Sequence, residues 1–190
     1  MEEPQYQMEI LKEPMALGEV FAKSGMFPDV KSQSQAVVKI LAGRELMLSP
    51  FESMASIYIV NGKLALTSKA MAGLLKKSKT YDYKIEKLTD EECTISLLKK
   101  DSEGTSEIGK VTFTFKDAAK AGLVNKDVWK SYPKNMLFAR AITNLARFYC
   151  PEVISGYYVK EELDDLDEVV TPVTSLIEVT AEGEVVNGKT

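Results

Sequence analysis

The chain contains no histidine, which removes Ser-His-Asp and Cys-His catalysis and the side chain that most often serves as a base near neutral pH. Its two cysteines, Cys93 and Cys150, are far apart and lack a Cys-x-x-Cys spacing, so neither a disulfide framework nor a four-ligand zinc site can be read from them. No apolar run approaches the roughly 18 residues of a membrane span. Glu2 and Glu3 stand where a secretory signal would carry positive charge. Tryptophan occurs once, at 129. These absences lead to the expectation of a cytoplasmic protein with no metal, no cofactor and no membrane partner.

What is present fits one ordinary domain with tails: 190 residues, 45% of them apolar and 27% charged. The net charge of −4 is a sum over unlike parts. Residues 1–19 hold one basic and five acidic groups, residues 20–160 hold 22 and 14, and residues 161–190 hold one and nine. A core of net charge +8 therefore lies between acidic ends. Such a core suits a polyanionic partner, and an acidic tail suits an interaction or self-regulating role.

Along the chain, residues 1–14 are polar, contain Pro4 and Pro14, and read as a flexible segment. A short helix is expected from Met15 to near Gly25, and a second over 34–47 with Ser32 or Ser34 as its cap. Ser49-Pro50-Phe51-Glu52 is a capping box with proline at the first helical position. Ile57–Val60 and Lys63–Leu66 flank Asn61-Gly62, the pairing of residues that a type I′ hairpin turn requires. A helix over 68–78 follows, capped by Thr67. Three alternating segments, around Tyr81–Ile85, Cys93–Leu97 and Val111–Phe115, read as an antiparallel meander with one buried face. Helical pattern then returns over 117–121, 126–132 and, most extensively, 133–149, opened by Pro133 and ended by Cys150-Pro151. Residues 161–190 read as a mobile acidic tail with at most one helical turn at its start. The fold class is α+β: N-terminal helices, a hairpin, a helix, a three-stranded meander and a long closing helix.

The last eight residues, Gly183–Thr190, match the phosphate-loop pattern G-x-x-x-x-G-K-[ST] letter for letter. That chemistry needs a preceding buried strand and a following helix whose amides hold the phosphates. No helix follows within the sequence, and the lead-in is acidic, so the match is rejected as a nucleotide site.

The stretch Trp129–Arg147 is the most informative. Arg140 and Arg147 are seven residues apart, nearly on one helical face, with Thr143 and Asn144 between them, and Lys130 and Lys134 lie just before. No glutamate at i±4 neutralises these cations, which predicts an unpaired basic face. Trp129 and Tyr132 could stack on bases, although a lone tryptophan equally suits a core position.

The order Ser49-Pro50, Ile57-Tyr58-Ile59, Asn61-Gly62-Lys63, Tyr81-Asp82-Tyr83, Glu92-Cys93-Thr94, Asp117-Ala118, Ala121-Gly122-Leu123, Trp129, Tyr132-Pro133-Lys134, Met136-Leu137, Arg140-Ala141, Ala146-Arg147 resembles the RecT family of phage and prophage single-strand annealing recombinases. A more distant likeness is to the Beta protein of phage lambda. The resemblance covers about residues 34–162 and assigns 15–160 as the DNA-annealing core. It implies ATP-independent annealing of complementary DNA strands by homo-oligomers, rings or helical filaments, in the cytoplasm of a bacterial host. It implies DNA contacts at Lys134, Arg140 and Arg147, and more weakly at Lys63 and Lys69. In the family, partners such as a companion exonuclease or the host single-strand binding protein engage a C-terminal region that is short and acidic here. Two other readings remain at this point: a strand-protecting protein that does not anneal, and a protein-interaction scaffold. An enzyme is disfavoured, since the carboxylates Asp90, Glu91 and Glu92 fall in a predicted turn, where such runs are solvated.

Overall fold

The computed structural model describes residues 3–167, and the side chains of 11–164. The architecture is mixed α+β, with a three-stranded antiparallel sheet and the long helix after it.

Helix α1 runs over Glu3–Lys23, so it begins well before the expected Met15 and takes in most of the segment read as flexible. Pro14 lies inside it and is buried. An interior proline costs an isolated helix about 3 kcal/mol, which is why the sequence favours a later start; packing against the next helix outweighs that penalty. Arg44 Nη2 meets Glu13 Oε2 at 2.6 Å, and Gln33 Nε2 donates to the Met15 carbonyl at 2.8 Å. Helix α2 (Gln33–Glu45) is capped by Ser32, and α3 (Pro50–Ser56) has both hydrogen bonds of its Ser49/Glu52 capping box. The two helices approach so closely that a Cβ on Gly43 would lie 1.8 Å from Ser53 Oγ. A small core of Val30, Ala36, Ile40 and Met54 fills this helical lobe. Lys39 is fully buried within it, paired with Asp29 Oδ2 at 2.8 Å and lying 5.7 and 5.4 Å from the Phe27 and Tyr58 ring centres.

Strands β1 (Ile57–Val60) and β2 (Lys63–Leu66) form the expected hairpin, with φ of 50° at Asn61 and 73° at Gly62. A third strand that the sequence did not announce, β6 (Tyr158–Val159), runs parallel to β2, pairing Ala65 with Tyr158 and Leu66 with Val159. Helix α4 (Ser68–Lys77) is capped by Thr67. The meander is β3 (Tyr81–Leu88), β4 (Glu92–Asp101) and β5 (Gly104–Thr114), in that order. Thr114 and Asp117 form a second capping box that opens α5 (Phe115–Lys120). A 3-10 turn (Leu123–Asn125) and α6 (Asp127–Ser131) lead to α7 (Pro133–Tyr149), whose limits are those read from the sequence.

The main core lies between the meander and α7. Cys93, Ile95 and Leu97 on β4 face Leu137, Ala141, Ile142 and Leu145, with Met71 and Leu75 of α4 completing it. Gly109 on β5 leaves room for Tyr149, whose ring carbon would stand 2.6 Å from a Cβ there. After α7 come α8 (Pro151–Ile154), β6 and α9 (Lys160–Asp167). Residues 160–167 are therefore a two-turn helix joined to the core, where the sequence reading began the tail; the remainder of that tail, with the rejected Gly183–Thr190 pattern, lies outside the described residues.

Candidate nucleic-acid interface

Helix α7 is the platform on which most candidate residues sit. It buries Met136, Leu137, Ala139, Ala141, Ile142, Thr143, Leu145 and Ala146, and exposes Lys134, Asn135, Arg147 and Phe148. At about 100° per residue, Arg140 and Arg147 fall some 20° apart around the axis, as the seven-residue spacing suggests. Lys134, by the same geometry, lies about 120° from Arg140 and roughly 20 Å along the axis from Arg147. The cations read as one row therefore divide into two groups.

The group at the start of α7 consists of Lys130 and Lys134. Lys130 is exposed and sits 3.5 Å from Asp127, beside a cleft also lined by Asp90, Glu91, Phe115, Trp129 and Pro133. Lys134 is exposed, with no carboxylate partner among the described residues.

The second group gathers around α9, and here the expected unpaired face is corrected. Glu162 spans both arginines, its Oε1 3.2 Å from Arg140 Nη1 and its Oε2 2.6 Å from Arg147 Nη2. No glutamate of α7 itself lies four residues away, so counting charges within one helix missed a partner that tertiary structure supplies. Arg140 is largely enclosed, its side chain 16% exposed against 45% for Arg147. The neighbouring Glu161 takes a second positive site, the start of α4. Its Oε1 accepts from the Ser68 amide at 3.0 Å and the Ser68 hydroxyl at 2.7 Å, and its Oε2 from the same amide at 3.1 Å. Amides at a helix start carry partial positive charge, which favours an anion there. Helix α9 is anchored by buried Leu163, and a Lys160–Asp164 pair at 2.5 Å lies within the helix itself.

Lys63 completes this group. Lys63 Nζ lies 4.9 Å from the ring centre of Tyr158, three residues before Glu161, and Lys69 is exposed directly after Ser68. Neither has a carboxylate partner among the described residues. Lys63, Arg140 and Arg147, scattered over 85 sequence positions, are thus drawn to one short segment, Tyr158–Glu162, whereas Lys69 lines a separate cleft with Glu52, Thr67 and Lys77.

Two candidates, Trp129 and Thr143, are placed elsewhere than a nucleic-acid contact requires. Trp129 is fully buried, with its ring centre 6.4 Å from that of Phe113, so its indole packs in the core and cannot stack on a base. Thr143 is also fully buried, its hydroxyl 3.9 Å from Met71 Sδ. Asn144 is half-buried. Tyr132, in contrast, is 61% exposed and remains available for stacking. Burial pushes the Cys93 and Cys150 thiols up to about 11, which holds both as neutral core groups. Among the described residues no cluster of Cys, Asp and Glu is gathered as a metal cage, and no helix is long and apolar enough to cross a membrane.

Ser68, Tyr158, Glu161 and Glu162 were not legible as site residues. Their only sequence signal is the β-like Tyr157-Tyr158-Val159 run before the acidic stretch. No protein-family model and no curated protein matches the chain.

Proposed function

We propose that the protein binds single-stranded DNA along its phosphate backbone, without regard to sequence, and promotes pairing of complementary strands without ATP. One observation supports this reading above the others: three cations of two elements, Lys63 of β2 and Arg140 and Arg147 of α7, converge on Tyr158–Glu162. They are also residues on which the resemblance to the RecT family places DNA contacts. Exposed Lys134 and Tyr132 at the far end of α7 extend the path, one toward phosphate and one toward base stacking.

In this proposal subunits line up along the strand as a ring or filament and leave bases accessible to a second strand. Base pairing itself drives annealing. The protein lowers the mutual repulsion of two polyanions and prolongs their encounters; no bond is made or broken, and no catalytic residue or cofactor is required. The annealed duplex is the retained product, the setting is the cytoplasm of a bacterial host, and a companion exonuclease or host single-strand binding protein would act with it.

The test is binding of a dye-labelled oligo-dT across a salt series. The expected result is a log–log slope of about −0.7 for each phosphate contacted. Affinity that does not change with salt would contradict backbone binding, and absence of binding would favour a protein-interaction scaffold.

A further inference from the structure

We infer that the start of α9 fills a site for two neighbouring phosphodiesters, and that a polynucleotide binds there by displacing Glu161 and Glu162. This inference rests on the DNA-binding reading above.

Glu162 lies between two guanidinium groups of different turns of α7, one on each oxygen. Guanidinium forks bind phosphate oxygens with the same geometry as carboxylate oxygens. Glu161 delivers its two oxygens to the amide and hydroxyl of Ser68 at the start of the ten-residue helix α4. Two consecutive carboxylates therefore occupy two adjoining anion-binding positions. The exposed ammonium group of Lys63 stands over Tyr158, in the same short segment, without an acidic partner among the described residues. A strand carrying a phosphate at every nucleotide would satisfy Lys63, Arg140, Arg147 and the Ser68 donors together.

Helix α9 is also suited to leaving. Its described side chains bury one large apolar group, Leu163, and residues 161–167 carry five acidic groups and no basic one. Those charges would be repelled by an arriving strand. The apparent affinity for DNA is then the affinity of the open site multiplied by the fraction of molecules in which α9 is undocked.

The experiment compares the full chain with Glu162→Gln and Asp164→Asn in oligo-dT binding at low salt, with amide hydrogen exchange of the wild-type protein in parallel. Asp164→Asn removes the same charge from an exposed position of α9. Glu162→Gln is expected to tighten binding roughly tenfold by raising the undocked fraction, and Asp164→Asn to change it little. In the wild type, amides of residues 162–167 are expected to exchange faster when DNA is bound, a readout that does not depend on how well any variant folds. Unchanged or weakened binding by Glu162→Gln, equal tightening by Asp164→Asn, or continued protection of α9 in the complex would each overturn the inference while leaving DNA binding itself intact. Failure of wild type and variants alike to bind would overturn the functional reading and this inference with it.

Discussion

Arg147 Nη2 lies 2.6 Å from Glu162 Oε2, and through that contact the first turn of the segment expected to be a mobile acidic tail is fixed to the helix expected to be an unpaired basic face. The unpaired face and the free start of the tail are both corrected for one reason. The charges were assigned to separate parts of the chain, and folding brings the parts together.

Arg147→Ala should weaken oligonucleotide binding equally for all sequences and lower the salt slope by about 0.7, the signature of one lost phosphate contact. Lys134→Ala, at the other end of α7, should do the same independently, since some 20 Å along the helix axis separates the two positions. Loss of binding to one sequence only would contradict a backbone-tracking site.

Trp129 offers a clean spectroscopic test, because it is the only tryptophan and is fully buried. Its emission should be that of a dry indole and should stay unchanged when oligo-dT is added, whereas strong quenching would show contact with bases. Trp129→Ala should lower stability by about 3–5 kcal/mol in urea unfolding. Tyr132→Ala should leave stability nearly unchanged and weaken DNA binding by about 1–3 kcal/mol, the range for one base–aromatic stack.

The buried pair of Lys39 and Asp29 predicts an asymmetry. Asp29 accepts from the Ile59 amide at 3.0 Å as well as from Lys39, and Asp29→Ala strands a fully enclosed ammonium, at a cost of about 3–5 kcal/mol. Lys39→Met leaves a carboxylate that still has the Ile59 amide and a side chain 13% exposed, so it should cost less. Urea midpoints in the reverse order would contradict this account of the helical lobe.

Acid should weaken the fold through its caps. The Thr114 hydroxyl and amide hold the Asp117 carboxyl below its ordinary value, and Lys76, with the Tyr83 amide, does the same for Asp82. For a carboxyl whose native value is depressed, the added stability is complete above the ordinary range near about 4 and is lost as pH falls through the lowered native value. Thr114→Ala should cost about 1 kcal/mol at neutral pH. Its difference from wild type should shrink in part in acid, as the Thr114 hydroxyl's bond to the Asp117 carboxylate weakens while the Asp117 amide still donates to Thr114 Oγ1; a difference that is constant with pH would contradict the assignment.

Much of the fold was legible because its signals are local. Asn61-Gly62 fixes a turn by the backbone angles it tolerates, Ser49 and Glu52 cap each other across three residues, and Pro133 and Cys150-Pro151 bound α7. Each of these is decided within a few positions. Helix α1 passes through Pro14 on the strength of packing against α2, which no window of sequence displays. The two-residue β6 exists because β2 offers it an edge, and α9 docks because Ser68, Arg140 and Arg147 converge on it from distances of 15 to 93 residues. The same limit applies to the site. The seven-residue spacing showed that Arg140 and Arg147 share a face, but it could not show that Thr143 and Trp129 turn inward, or that Lys134 faces another side of the helix.

The most direct test of the central claim mixes two complementary oligonucleotides, each carrying one dye of an energy-transfer pair, with and without the protein and in the absence of ATP. Annealing activity predicts that energy transfer develops faster with the protein than without it, with the acceleration fading at high salt. Pairing that is slowed, or that proceeds at the same rate with and without the protein, would contradict the account.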